Sequence, residues 1–536
     1  MDSIIFGPAA FNSQVRQCAG ALSNVFRRRN LRVLAAKLGC QPLLSQFRHK
    51  DRIFGLDLLL ESAGQLKQHT YLENSLKRSL IYGNTWSARG LGKDVIHTHE
   101  PENLRAVYCR QFNDFVITDA RVKHFSTLLG SSVFSTNGAE WKHSRAMLRP
   151  AFAIDRAADV DIFERHVQKM IKLIPADGQS VVDLQDLFFR FTMDLGTDIF
   201  FGESLNSLQD DVRKDSDARR FEEAYEAAKK HCVRNTQLHP MYWLRSQKGF
   251  KEAVVTVQDF MDRFVERALD RRQLLKDSEA QSETFLDEWA KLTSDKVKLR
   301  SELLSVLLAA RDTTAALLGN LFFVLARRPD VWEKMSSEIQ FLQGERPTYE
   351  QLKLLKYTKW CMNESLRLHP QVPVHVRTAS KDTVLPVGGG KDGKSPILVP
   401  AGTAVVMNTY CLHRREDIWG EDAQVFRPER WAASPLDWSF IPFSGGPRRC
   451  LGADMAISEA VYITVRLLQH FKEIKAGDAE AWQEDLAVTC SNLHGARVIL
   501  TPADVDASAG VDSAPITLKG GLECLEVEYP ETCLSA

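Results

Sequence analysis

Cys450 sits among residues that give a thiol chemistry. It lies in "FSGGPRRCLG", Phe443 to Gly452, just ahead of a segment with strong helical pattern. Glycines on both sides let backbone N–H groups close on the sulfur and stabilise a thiolate, and a helix starting there adds the positive end of its dipole. Arg448 brings a cation and Phe443 an apolar shield. A lone cysteine is ordinarily an inert buried residue; these neighbours make Cys450 a candidate metal-ligating thiolate.

Three further groups have suggestive spacing. Glu364 and Arg367 in "ESLR" stand three apart, hence on one helical face, where an ion pair is the ordinary outcome. Trp141 and Arg145 in "WKHSR" stand four apart on another such face. Asp312 and Thr313 in "AARDTT" interrupt a long apolar segment, where a threonine can bond the preceding turn and bend a helix. A fourth stretch, "GGGKDGKS" at 388–395, reads as the phosphate-cradling pattern G-x-x-x-x-G-K-S. That loop needs a helix to begin at its Gly-Lys-Ser end. Here Pro396 and Pro400 flank a β-type run, so the pattern predicts a glycine-rich tip between the strands "TVLPV" and "PILV", with no ATP or GTP bound.

These residues need a large scaffold. The chain has 536 residues, with no internal repeat and no Pro/Ser-rich interior linker. Length alone suggests about three domains, but the lack of a divider predicts one large domain or a tightly fused pair. The 69 basic and 69 acidic residues balance, which removes a charge-based case for nucleic acid. Ten cysteines without CxxC pairs form neither a disulfide scaffold nor a zinc pattern, and suit a reducing compartment. From about 150 to 370 the periodicity is helical. One run is apolar on every face from Leu303 to Ala326 and is closed by Pro329. Such a run is a membrane span or the central helix of a core, and Arg311 and Asp312 near its middle favour the core. "PTYEQLKLLKYTKWCMNESLRLHP" reads as one helix with a capping box at Thr348 and Gln351. Proline, glycine and short strands then dominate from 371 to about 430. The class is therefore mainly α with a minor β portion. The first 30 residues hold no apolar run of membrane-crossing length, and Arg27, Arg28 and Arg29 suit a solvated face or a peripheral contact with an anionic membrane.

F-x-x-G-x-R-x-C-x-G, matched at Phe443, Gly446, Arg448, Cys450 and Gly452, resembles the haem-binding loop of the cytochrome P450 superfamily. Glu364 and Arg367 resemble its E-x-x-R motif, which couples to the arginine of a later "PER", here Arg430, in a structural charge network. "AARDTT" resembles the oxygen-activation segment, with Ala310 where glycine is common; the implied roles are a local helix opening for dioxygen and proton delivery by Asp312 and Thr313. Trp141, Arg145, Arg448 and the Arg377 of "VPVHVRTA" resemble contacts to the haem propionates. "WKHSRAMLRPAF", "ARDTTA", "GGGKDG", "FRPERW" and "GGPRRCLG" together are similar to the fungal branch that hydroxylates n-alkanes and fatty acids.

The resemblance implies a cytochrome P450 fold holding haem b, ligated by Cys450, between the long central helix and the helix of the cysteine loop. It divides the chain into an N-terminal segment (1–50), a haem domain (51–505) and a tail (506–536). It implies a monooxygenase acting on a lipophilic substrate and O2, with electrons from NADPH through a separate NADPH-cytochrome P450 reductase. Alternatives are a tailoring oxidase of a polyketide or acyl-chain intermediate, a reductase-independent hydroperoxide-rearranging haem enzyme, and a haem sensor. The branch implies the cytosolic face of the endoplasmic reticulum; without a transmembrane segment the expectation is a peripheral or soluble protein.

Overall fold

A computed structural model describes residues 26–27, 29–152, 160–209, 216–239, 241–244, 246–274, 284–433 and 437–503. Arg28, most of the connection "LKDSEAQSET" and the tail 506–536 lie outside them. The chain divides into two compact units, one of residues 1–60, 78–116 and 376–407, the other of 61–77, 117–375 and 408–536.

The first unit is built on a five-stranded sheet with the order Thr85–Gly90, Lys93–Thr98, Ala404–Asn408, Val374–Ala379, Phe115–Val116. Its first two strands form a hairpin that turns at Leu91 and Gly92, with φ of 50° and 77°, as a tight two-residue turn requires. The cross-strand pair Trp86 and His97 stacks with ring centroids 4.0 Å apart. The glycine-rich loop is the tip of a second hairpin, Thr383–Gly389 against Ser395–Val399, and the chain leaves it as strand rather than helix. Gly388, Gly390 and Gly393 all take positive φ there. Asn103 clasps the hairpin, donating to the Val387 carbonyl (3.0 Å) and accepting from its N–H (3.1 Å).

The second unit is helical apart from small sheets, so the chain is mainly α with a minor β portion. Its centre is the helix Lys296–Leu325. Asp295 starts it by accepting from the N–H groups of Val297 (2.9 Å) and Lys298 (3.1 Å). Among the described residues this is the one helix long and apolar enough to cross a membrane, and it is mostly buried inside the protein. Phe188, Phe191 and Leu195 of the helix Leu184–Phe201 join its Leu317, Leu318, Leu321 and Phe322 in a single core cluster. The expected opening at "AARDTT" is not seen. The helix runs unbroken, and the Thr313 hydroxyl donates to the Ala309 carbonyl (2.5 Å) without opening the turn.

Where one helix was expected after Pro347, two are found, Tyr349–Leu354 and Lys356–Leu368. The capping box at Thr348 and Gln351 is present on the first. Glu338 causes the break: its carboxylate accepts from the N–H groups of Tyr357 (2.7 Å) and Thr358 (2.9 Å), capping a new helix start. The helix after the cysteine loop, Ala453–His470, packs on Val160–Ile171, on the central helix and on Lys356–Leu368.

Candidate functional site

The cysteine loop is shaped by backbone. Pro447 opens a short 3₁₀ turn, Gly446–Arg448, after Ser444 and Gly446 have taken φ of 61° and 64°. A side chain at Gly445 would place a Cβ 2.5 Å from the Trp438 indole, so only glycine passes there. The Cys450 N–H donates to the Phe443 carbonyl (3.1 Å), which closes the loop just before the helix begins. Phe443 is half-buried against the core. The Cys450 side chain is exposed, although the protein packed around it desolvates the thiol and pushes it up. The Gly452 N–H, Arg145 and Arg449 pull it back only in part. The glycine-rich surroundings therefore do not make Cys450 a resting thiolate by themselves, because desolvation outweighs the one N–H they supply. A bound cation would.

Trp141 and Arg145 lie on the helix Gly138–Leu148 as their spacing predicts. Arg448 is turned toward the start of that helix. Its guanidinium covers the Trp141 ring at 4.3 Å and donates to the carbonyls of Val133 (3.4 Å) and Thr136 (2.8 Å) and to Asn137 Oδ1 (3.2 Å). It thus fastens the cysteine loop to the start of that helix. Arg145 makes no side-chain hydrogen bond or ion pair among the described residues; burial acts against its charge, the nearby Cys450 favours it, and the net pKa is lowered. Arg377 belongs to the other unit, where it donates to the Val376 carbonyl and faces the Tyr108 ring at 5.8 Å. Burial depresses its pKa as well.

Glu364 and Arg367 are fully buried and paired through two parallel bonds, Nε to Oε2 at 2.9 Å and Nη2 to Oε1 at 2.8 Å. Arg430 adds a third, from Nε to Glu364 Oε1 at 2.9 Å. Arg367 also donates to the carbonyls of His413 (2.7 Å) and Ala423 (2.6 Å). His413 carries the network onward, since its Nε2 accepts from the Ile441 N–H (3.1 Å), two residues before Phe443. The sequence gives no sign of this link, because a carbonyl and a ring nitrogen leave no motif.

Burial first, then Arg367 and Arg414, take His413 down to about 3, so the ring is neutral and Nε2 is an acceptor. An unfolded histidine titrates near 6.5. The stability supplied by the neutral ring is therefore complete above about pH 6.5 and is lost as pH falls toward 3. His97, also held near 3 by burial and Arg78, acts in the same direction. Compared at each pH with His413→Gln, the parent's urea midpoint is expected to hold a constant difference from pH 7 to 8 and to lose ground steadily below 6.5.

Asp312 and Thr313 stand on a distinctive part of the central helix. From Ser301 to Leu325 the helix is buried except at Ala309, Ala310, Arg311, Thr313 and Val324. Ala309, Ala310 and Thr313 share one face by helical spacing. Ala310 and Leu451 of the cysteine loop border the same apolar cluster. The Asp312 carboxylate is ion-paired, to Lys229 Nζ at 2.6 Å and to Arg311 Nη1 at 2.7 Å.

An exposed cysteine at the head of a helix, whose neighbour Leu451 borders the same apolar cluster as Ala310 of the central helix, suits a thiol-ligated metal cofactor. The cytochrome P450 family model matches residues 53–487. The cytochrome P450 monooxygenase himC of Aspergillus japonicus is 42% identical over 474 residues, covering 87% of this chain and 84% of that protein. The cytochrome P450 monooxygenase fsdH of Fusarium heterosporum is 41% identical over 511 residues, 92% of this chain and 89% of that one. Cytochrome P450 52A5 of Candida maltosa is 44% identical over 397 residues, 71% and 75% of the two chains. The chain belongs to the cytochrome P450 family and is a monooxygenase of it, so the cofactor class is haem-thiolate.

The residues present fit that cofactor. The Cys450 side chain is accessible, the Arg145 cation has no anionic partner among the described residues, and the Gly452 N–H already points at the sulfur.

Proposed function

We propose that the chain hydroxylates an alkyl chain, a fatty acid or n-alkane, at or near its end, with Cys450 as the residue that would supply the thiolate to a haem. The overall reaction is RH + O2 + NADPH + H⁺ → ROH + H2O + NADP⁺, with the electrons arriving through NADPH-cytochrome P450 reductase. When bound, the haem supplies the oxygen chemistry, and thiolate ligation favours O–O cleavage. Arg145 is the cation for a propionate, with Trp141, Arg377 and Arg448 completing that set, and Phe443 shields the sulfur. Ala309 and Ala310 leave an apolar, close-fitting face for a hydrocarbon chain. Asp312 and Thr313 move protons from water to the reacting oxygen. The cytosolic face of the endoplasmic reticulum, with a peripheral membrane contact, is the location that suits this substrate and this reductase.

The accessible Cys450 side chain at the start of Ala453–His470 is the observation that carries the reading. His375 favours a second reading, tailoring of an acyl or polyketide intermediate. It is a half-buried polar ring whose Nε2 lies 3.2 Å from the Val372 carbonyl, and it suits a substrate with an oxygen function. Product formation from fatty acids, n-alkanes and bulkier oxygenated lipids, with the reductase added or omitted, tests both. Hydroxylated alkyl chains formed only with reductase are expected. NADPH oxidation by the isolated chain, or turnover of the bulkier lipids alone, would overturn the first reading.

A further inference from the structure

A buried carboxylate away from the cysteine loop holds the base of a hairpin. Strands Glu484–Leu486 and Cys490–Asn492 pair antiparallel and turn over 487–489. Val488 in that turn borders the same apolar cluster as Ala310 of the central helix and Leu451 of the cysteine loop. The hairpin tip therefore belongs to the apolar surroundings of the candidate site.

The two strands are anchored differently. The returning strand is tied to the core: the Gln185 amide donates to the Asn492 carbonyl (2.8 Å) and accepts from the Asn492 N–H (3.2 Å), and the strand packs on the central helix. The outgoing strand is tied to the first turn of the helix Tyr71–Tyr82, which belongs to the same compact unit. Glu484 Oε1 accepts from the Tyr71 N–H (2.6 Å) and Oε2 from the Leu72 N–H (2.7 Å). Leu72 forms a small apolar cluster with Tyr410 and Cys490, bordered by Leu486.

A serine or threonine just ahead of a helix ordinarily satisfies such N–H groups locally. Here a residue 413 positions away does so, with a side chain that is buried and has no cation paired to it among the described residues. Burial pushes the Glu484 carboxyl up to about 7 against the pull of the Leu72 and Tyr71 N–H groups, and Glu73 pushes it the same way as burial. The other titratable groups around it are Tyr410 and Cys490, which Arg414 also influences, Asp485 beside it, and His69, whose Nδ1 lies 2.9 Å from the Glu484 carbonyl. Two N–H groups meet two carboxylate oxygens, whereas a protonated carboxyl turns one oxygen into a donor. The clasp is whole above about pH 7 and loosened below it.

We propose that Glu484 is a positioning residue for the substrate: its clasp on the start of Tyr71–Tyr82 fixes the outgoing strand, and so sets how tightly Val488 closes the apolar cluster on an alkyl chain. The proposal rests on the alkyl-chain reading given above.

The test uses n-dodecane, which carries no titratable group, and reads its affinity from the substrate-induced spectral shift of the haem-loaded full chain between about pH 6 and pH 8. The parent is expected to bind several-fold more tightly at the upper end of that range. Glu484→Gln, which sets an amide nitrogen against one of the N–H groups, should bind weakly throughout, with KM raised about five-fold and kcat kept within about two-fold. Val488→Ala should weaken binding but keep the pH dependence. Amide exchange, read independently of turnover, should quicken several-fold at Tyr71, Leu72 and Glu484–Leu486 in Glu484→Gln and stay unchanged along Ala453–His470. Faster exchange at Tyr71 and Leu72 with affinity and its pH dependence unmoved would make Glu484 a helix cap and overturn this proposal alone. Unmoved exchange would overturn the clasp itself. No n-dodecane-induced shift in the parent at any pH overturns the alkyl-chain reading, and this proposal with it.

Discussion

Cys450→Ala is expected to abolish the red-shifted, thiolate-type band of the carbon monoxide complex of the reduced protein, and with it all hydroxylation, while the chain stays folded. The reason lies in how little the thiol contributes to the fold. Cys450 is solvent-accessible, and the loop is closed by the Cys450 backbone N–H, which alanine retains. The turn before it depends on Gly445, Gly446 and Pro447 rather than on sulfur. Thermal unfolding of the haem-free variant should therefore match that of the haem-free parent within about 0.5 kcal/mol, as for a substitution that removes no packing. The holoprotein differs, because a ligand bound only by the folded state adds stability that the variant loses. Cys450→Ser offers an oxygen where sulfur stood, and should retain some haem but not the thiolate band. An unchanged band in either variant would remove Cys450 from the iron, and the reading of the whole loop would fall with it.

How far the sequence disclosed this site follows from what a linear chain can record. The cysteine loop, the central helix and the glycine hairpin were legible because each is set by neighbours: glycines and a proline around Cys450, apolar residues on all faces from Leu303, prolines on either side of "ILV". The break at Leu355 was hidden, because its cause is Glu338, far back along the chain. The partner of Arg448 was hidden for a related reason. It stands two residues from Cys450, yet its guanidinium covers the Trp141 ring, far back along the chain, and Arg145 and Arg449 are cations acting on the sulfur. The Lys229–Asp312 pair spans 83 positions with no spacing rule. Periodicity reports which face a helix buries; it says nothing of which distant charge meets that face.

Glu364→Ala is expected to be the most damaging change outside the cysteine loop, costing about 3–5 kcal/mol, because it strands charges rather than removing a contact. Glu364 accepts from Arg367 twice, from Arg430, from the Arg427 N–H (2.9 Å) and from Trp431 Nε1 (3.1 Å). Without it, two guanidinium groups that are almost wholly shielded from water keep their charge and lose the anion they share. Arg430→Ala should cost less, since it leaves the Glu364–Arg367 pair whole and Asp422 close to solvent. Arg367→Lys tests geometry at constant charge: a lysine cannot hold both carboxylate oxygens in parallel and also reach the His413 and Ala423 carbonyls. Denaturant unfolding should rank the three with Glu364→Ala the least stable. The second readout is haem retention. Arg367 holds the His413 carbonyl, and the His413 ring holds the Ile441 N–H at the entrance to the cysteine loop, so loss of the network should loosen haem binding even where the helices survive. A Glu364→Ala protein that unfolds within about 1 kcal/mol of the parent and binds haem as tightly would show the network to be a dispensable ion pair of the kind that ordinarily contributes little.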